Sequence, residues 1–206
     1  MARLPRLDIP GQLYHITQHG IDDRRIFVDD TDREMFLRFL SEEIARSDWT
    51  CLAYCLMGTH YHVLVRPREA TLSSGFQRLN LRQAIWYNRR HERRGHLFES
   101  RFRDKRVESL NHHAEAMRYI HLNPVRVGIC DEPEQYQWSD FGSTVGLYID
   151  DFIVQPKIAL EPFGANLEEA RATYRRFVRE RDRRVRRGQV RDRPQPGPHQ
   201  APGLPE

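Results

Sequence analysis

A chain of 206 residues has room for one well-cored domain and an appendage, and too little for two large domains. With 39% hydrophobic and 30% charged residues it is globular in composition, and no stretch nears the roughly 20 apolar residues needed to span a bilayer as a helix, so membrane insertion is not expected. The net charge of +4 is unevenly spread, with arginines from Arg89 to Arg106 and again from Arg171 to Arg193 and acids concentrated before residue 50; this favours a nucleic-acid partner over a small anionic metabolite.

Residues 12 to 19, aromatic and β-branched and ending at Gly20, predict a first strand. Thr31 followed by Glu34 reads as a capping box. It opens an amphipathic helix with Met35, Phe36, Phe39, Leu40 and Ile44 on its stripe, running to about Ser47. Trp49 to Met57 and His60 to Arg66 are two strand-like runs joined through Gly58-Thr59, as in a hairpin. A second helix is expected from Leu72 to about His91, with Phe76, Leu79, Ile85 and Trp86 inward. His96 to Val107 reads as a fourth strand with imperfect alternation, and Leu110 to Leu122 as a third helix closed by Asn123-Pro124.

The order strand, helix, strand, strand, helix, strand is that of a ferredoxin-like βαββαβ core of the α+β class. Its antiparallel sheet carries two crossover helices on one face and leaves the other for the third helix and a site. The expected organisation is a core over residues 1–130, a C-terminal extension over 131–187 with a basic helix from Leu167 to about Arg183, and a disordered proline-rich tail over 188–206. Three cysteines, Cys51, Cys55 and Cys130, form no disulfide framework. With no apolar leader run, the expected compartment is the cytoplasm, at the nucleoid when bound to DNA. A lone C-x3-C without a second pair is weak grounds for zinc.

His60-Tyr61-His62 opens the third strand. Alternation sends both imidazoles to one face, about 7 Å apart at Cα, close enough to share a cation, while Tyr61, Val63 and Val65 face the helices. Two strand histidines that merely hydrogen-bond are the bland alternative. Tyr119 and Asn123 are four residues apart and share a helix face. Asn123 offers an amide oxygen to the same cation, and Tyr119 a phenol that, with an ordinary pKa near 10, needs help to act as a nucleophile. A tyrosine packed on the sheet beside a helix-ending asparagine is the plain reading of that pair.

Three ordered blocks carry a resemblance: Met57-Gly58-Thr59-His60-Tyr61-His62-Val63-Leu64-Val65, Gly95-His96-Leu97-Phe98-Glu99-Ser100-Arg101-Phe102, and Arg118-Tyr119-Ile120-His121-Leu122-Asn123-Pro124-Val125-Arg126-Val127-Gly128. Over about Leu13 to Trp138 the chain resembles REP-associated tyrosine transposases, which belong to the single-tyrosine HUH transposases of small insertion sequences. The resemblance implies a divalent ion, Mg²⁺ or Mn²⁺, on His60 and His62 with Asn123 as third ligand, and Tyr119 as the nucleophile. It also implies single-stranded or hairpin DNA as partner, cut through a 5′-phosphotyrosine link and resealed by a 3′-hydroxyl. Tyr61 is bulkier than the family's middle residue, and Thr59 stands where Asn is expected.

DNA contacts are expected from Arg101, Arg103, Lys105 and Arg106 on the fourth strand and its flank, and from Arg118 and Arg126 around the tyrosine. Monomer and homodimer remain open, the latter able to supply Tyr119 in trans. Two other classes of function compete: a domesticated protein that binds hairpin DNA without cutting it, and an RNA-binding module of the same topology, which would need exposed aromatics where this strand carries histidines.

Overall fold

Strand β1 (Leu13–His19) lies inside the sheet and everything else is arranged around it. In this computed structural model residues 8–149 and 153–186 are described, with side chains to residue 180. After β1 come α1 (Asp30–Ser47), β2 (Trp49–Leu56), β3 (His60–Pro67), α2 (Leu72–Arg90), β4 (Arg103–Val107) and α3 (Leu110–His121). The short helices α4 (Asn123–Arg126), α5 (Phe141–Thr144) and α6 (Pro156–Ala159) follow, then the long α7 (Leu167–Arg186). The strands form one antiparallel sheet in the order β2-β3-β1-β4. This is the ferredoxin-like α+β arrangement that the order of elements predicts. The tail beyond 186, including the end of the arginine run, lies outside the described residues.

One sheet face is covered by α1 and α2. Tyr61 of β3 stacks against Phe36 of α1 with ring centroids 4.6 Å apart, and its hydroxyl donates to Asn80 of α2 at 2.7 Å. Gly75 lets α2 approach β2, because a Cβ there would run into the ring of Trp49. Two expectations for the helices are corrected. The α1 cap is Asp29, not Thr31: the Asp29 carboxylate accepts from the Asp32 backbone N–H at 3.2 Å, so Thr31 falls inside the first turn. The inward stripe of α2 runs through Leu72, Phe76, Leu79, Gln83 and Tyr87, leaving Ile85 60% exposed. Tyr87 holds the far end of that stripe by donating to the Arg25 carbonyl at 2.9 Å.

Strand β4 starts at Arg103 rather than at His96. The segment before it crosses the end of β1: the Leu97 carbonyl accepts from Ile21, Glu99 N–H donates to His19, and Phe98 bridges Gly20. The imperfect alternation of residues 96–102 is that of a loop held by β1, with Phe102 turned under to meet Phe76 at 5.0 Å.

The other face receives α3, and the chain beyond residue 130 closes over the outer edge of β2. Leu56 N–H donates to the Trp138 carbonyl at 2.9 Å, and Gln155 N–H to the Cys51 carbonyl at 3.2 Å. The strand's open hydrogen-bonding edge is thereby occupied. Phe141, Val154, Leu160, Tyr174 and Val178 join the same apolar core as the sheet. Among the described residues no helix is long and apolar enough to cross a membrane.

Candidate active site

Pairing of β1 with β3 places Thr17 opposite His62 and His19 opposite His60. Directly paired residues project from the same face, so His15, Thr17, His19, His60 and His62 converge on the face away from α1 and α2. The His60 and His62 rings lie 5.0 Å apart at 87°, and His19 stacks on His60 at 4.7 Å. His62 Nδ1 is 3.0 Å from His15 Nε2 and 3.2 Å from Thr17 Oγ1; on its other side Asn123 Nδ2 donates to His62 Nε2 at 2.9 Å. With that nitrogen accepting, the His62 proton sits on Nδ1 and is donated to His15. Thr59 Oγ1 lies 3.1 Å from His60 Nδ1, within hydrogen-bond reach of the second ring. The unexpected threonine before the pair thus orients a histidine.

Burial keeps these imidazoles neutral. His60 is pushed down to about 4 by burial, with the charge of His19 adding to it. His62 falls well below its ordinary value through burial, then the charges of His15 and His60. His15 is lowered to about 4 by burial, then by Lys105 and His112. Neutral rings keep lone pairs for a cation, which protonated ones cannot offer.

Helix α3 delivers the phenol. Its start is capped by Ser109, whose side chain accepts from His112 N–H at 3.1 Å, and Ala116, Met117 and Ile120 bury one side. Tyr119, 40% exposed, stands on the cleft side, its ring 5.6 Å from His62 at 89° and 5.8 Å from His15. The Arg126 guanidinium lies 4.7 Å from the Tyr119 ring centroid. Arg126 belongs to α4, which Pro124 opens at a position where no backbone N–H is needed.

These groups line an open cleft of about 1090 Å³. Of the six residues expected to contact DNA, Arg103, Lys105 and Arg126 are on its walls. Arg103 pairs with Thr17 and Lys105 with His15, so both share the histidine face. Arg106 pairs with Tyr14 and projects to the other side, and Arg101 lines a second hollow beside α2. Arg118 borders the cleft but is only 8% exposed. Its guanidinium binds Glu115, donates to the Phe177 carbonyl at 3.3 Å and lies 3.8 Å from the Phe177 ring centroid. Its charge is committed within the protein.

Sequence reasoning passed over His15, Thr17 and His19. Their signal was present: on β1 the alternation Leu13-His15-Thr17-His19 puts polar groups on the face where His60 and His62 emerge. Among the described residues no group of three or more His, Cys, Asp or Glu side chains is set to hold a metal. A cation here would rest on His60, His62 and the Asn123 amide, turned to present Oδ1. Two neutral imidazoles and an amide oxygen form a donor set that a divalent ion can take.

An antiparallel ferredoxin-like sheet presenting H-x-H on its open face, with a tyrosine-bearing helix across it, defines the HUH-type fold. Residues 10–123 match the family model described as "Transposase IS200 like", and the chain belongs to that family. It is similar to a solved REP-associated tyrosine transposase bound to a REP hairpin, with a TM-score of 0.60 over 75% of this chain and 92% of that one. At 16% identity that likeness is one of fold. No curated protein matches this chain.

Proposed function

We propose that this protein nicks and rejoins single-stranded DNA beside a hairpin, through a covalent link to Tyr119. The observation that carries this is the phenol ring standing 5.6 Å from His62, in a cleft walled by Arg103, Lys105 and Arg126. In the first step the Tyr119 oxygen forms a bond to phosphorus and the bond to the 3′-oxygen breaks. The phenol proton passes through solvent to the departing 3′-oxygen, leaving a 5′-phosphotyrosine and a free 3′-hydroxyl. In the second step a 3′-hydroxyl oxygen forms a bond to the same phosphorus, the bond to the Tyr119 oxygen breaks, and the hydroxyl proton passes through solvent to the released phenol.

The residues present support distinct parts of this. Arg126, its guanidinium over the Tyr119 ring, can meet the phosphate on the same side. Arg103 and Lys105 hold flanking phosphates. His60, His62 and Asn123 would hold Mn²⁺ or Mg²⁺, which when bound supplies a Lewis acid that offsets charge on the phosphate oxygens. All these side chains lie between residues 60 and 126 of one chain, which supports a 1–130 core that carries the reacting groups, with the tyrosine acting in cis and a monomer as sufficient. The hairpin bound by the structural neighbour motivates the choice of substrate.

The test is incubation with labelled hairpin DNA carrying single-stranded flanks, with Mn²⁺ or Mg²⁺. A protein–DNA adduct that survives denaturation is expected with the wild type. Binding to several such hairpins with no adduct from any would support the non-cleaving alternative.

A further inference from the structure

The face of α3 opposite the cleft holds a buried polar chain with no part in the chemistry above. His121 is fully buried; its Nε2 donates to Asp140 Oδ1 at 2.9 Å, and its Nδ1 accepts from the Tyr174 hydroxyl at 2.5 Å. Asp140 also accepts from the Tyr54 backbone N–H of β2 at 2.5 Å and from Thr144 Oγ1 at 2.7 Å. Burial, then the negative charge of Asp140, push the Tyr174 phenol far up, so its proton stays in place as a donor to His121. One turn earlier on α3, at the border of the cleft, Arg118 grips the carbonyl and ring of Phe177. Residues 118 and 121 therefore tie α3 to positions 177 and 174 of α7, and through Asp140 to the outer strand of the sheet.

Tyr119 and Asn123 lie between and just beyond these anchors, on the side of the helix turned to the imidazoles. A helix resting on a sheet through Ala116, Met117 and Ile120 alone is free to roll by a small angle, because apolar contact is not directional. Hydrogen bonds at 121 and a guanidinium clamp at 118 are directional, and breaking either strands a buried polar group, which is unfavourable. Resting on the strand-cutting reading of the cleft, we propose that Tyr174, His121 and Asp140 are positioning residues: they fix the roll of α3 and so hold Tyr119 and Asn123 against His62. The C-terminal segment then serves the active site as a brace without touching DNA there.

The experiment compares Tyr174→Phe, which removes one hydroxyl and keeps the ring, with Phe163→Leu, which loosens packing on the same ring, 4.9 Å away, and leaves the hydrogen bond. Both are assayed below their unfolding transitions, at saturating hairpin DNA, in single turnover. Tyr174→Phe should slow adduct formation about tenfold or more with DNA affinity unchanged, and Phe163→Leu should lower Tm while the rate stays within about twofold. Nuclear Overhauser contacts between the Tyr119 and His62 rings should weaken in Tyr174→Phe and persist in Phe163→Leu, a readout that holds whether or not the wild type cuts DNA. Unchanged ring contacts in Tyr174→Phe, or equal slowing in both variants, would overturn the brace. Loss of adduct from the wild type alone would sink the cutting reaction and leave the ring contacts to judge the brace.

Discussion

The two faces of one sheet are built from the same strands by alternate residues, and they differ in nearly every physical respect. On β3, Tyr61, Val63 and Val65 are fully buried beneath α1 and α2, while His60 and His62 between them open into a polar cleft. On β1, Tyr14 and Ile16 are buried while His15, Thr17 and His19 face that cleft. The dry face holds the fold together and the wet face gathers imidazoles, a phenol and cationic side chains in one cleft. A strand of period two lets neighbouring residues serve each purpose without compromise.

That contrast predicts which variants change stability and which change chemistry. The largest effect is expected on the dry face: Phe36→Ala removes a ring packed against Tyr61 and Phe27 and should cost about 3–5 kcal/mol in denaturant unfolding. The fraction still folded should form adduct at the wild-type rate. His60→Ala is the counterpart on the wet face, lowering metal-dependent adduct formation on the order of 10²-fold with Tm unchanged or raised. A matched fall in Tm and activity would make His60 a structural residue and erase the contrast.

Acid should expose the wet face and its flank next. His15, His60 and the buried His113 of α3 are each held near 4 by burial, below the 6.5 or so of an unfolded chain. The unfolded state therefore binds protons that the folded state refuses. Stability is fully present above about pH 6.5 and drains away as pH falls toward 4, at up to about 1.4 kcal/mol per pH unit for each histidine. Urea melts between pH 7 and 4 with chelator present would show this, and His113→Gln should flatten the slope without touching the cleft. Smaller still is the effect of charge: Arg103→Ala or Lys105→Ala should weaken hairpin binding severalfold and reduce the salt slope by about one each. Arg106→Ala, on the other side of the sheet, should change binding less than about twofold.

Much of this was legible in the sequence because it is local. Period-two and helical patterns gave the βαββαβ order, and H-x-H in β3 with Tyr119 and Asn123 at helical spacing named four side chains that the fold brings into one cleft. What escaped depends on which strands pair and on chain returning from far away. His15 matters only because β1 sits beside β3, and the start of β4 was misplaced because residues 96–102 are held by β1 rather than by their own alternation. Arg118 beside the tyrosine looks like a phosphate ligand until α7, almost 60 residues later, claims its charge. His121 shows no pattern at all until Asp140 and Tyr174 arrive from elsewhere in the chain.

The most direct measurement compares wild type with Tyr119→Phe on labelled hairpin DNA in Mn²⁺, scoring covalent adduct and DNA affinity together. A denaturation-resistant adduct that vanishes in the variant, with affinity retained, is what a phenol nucleophile held beside the histidines predicts. An adduct that persists in Tyr119→Phe would contradict it.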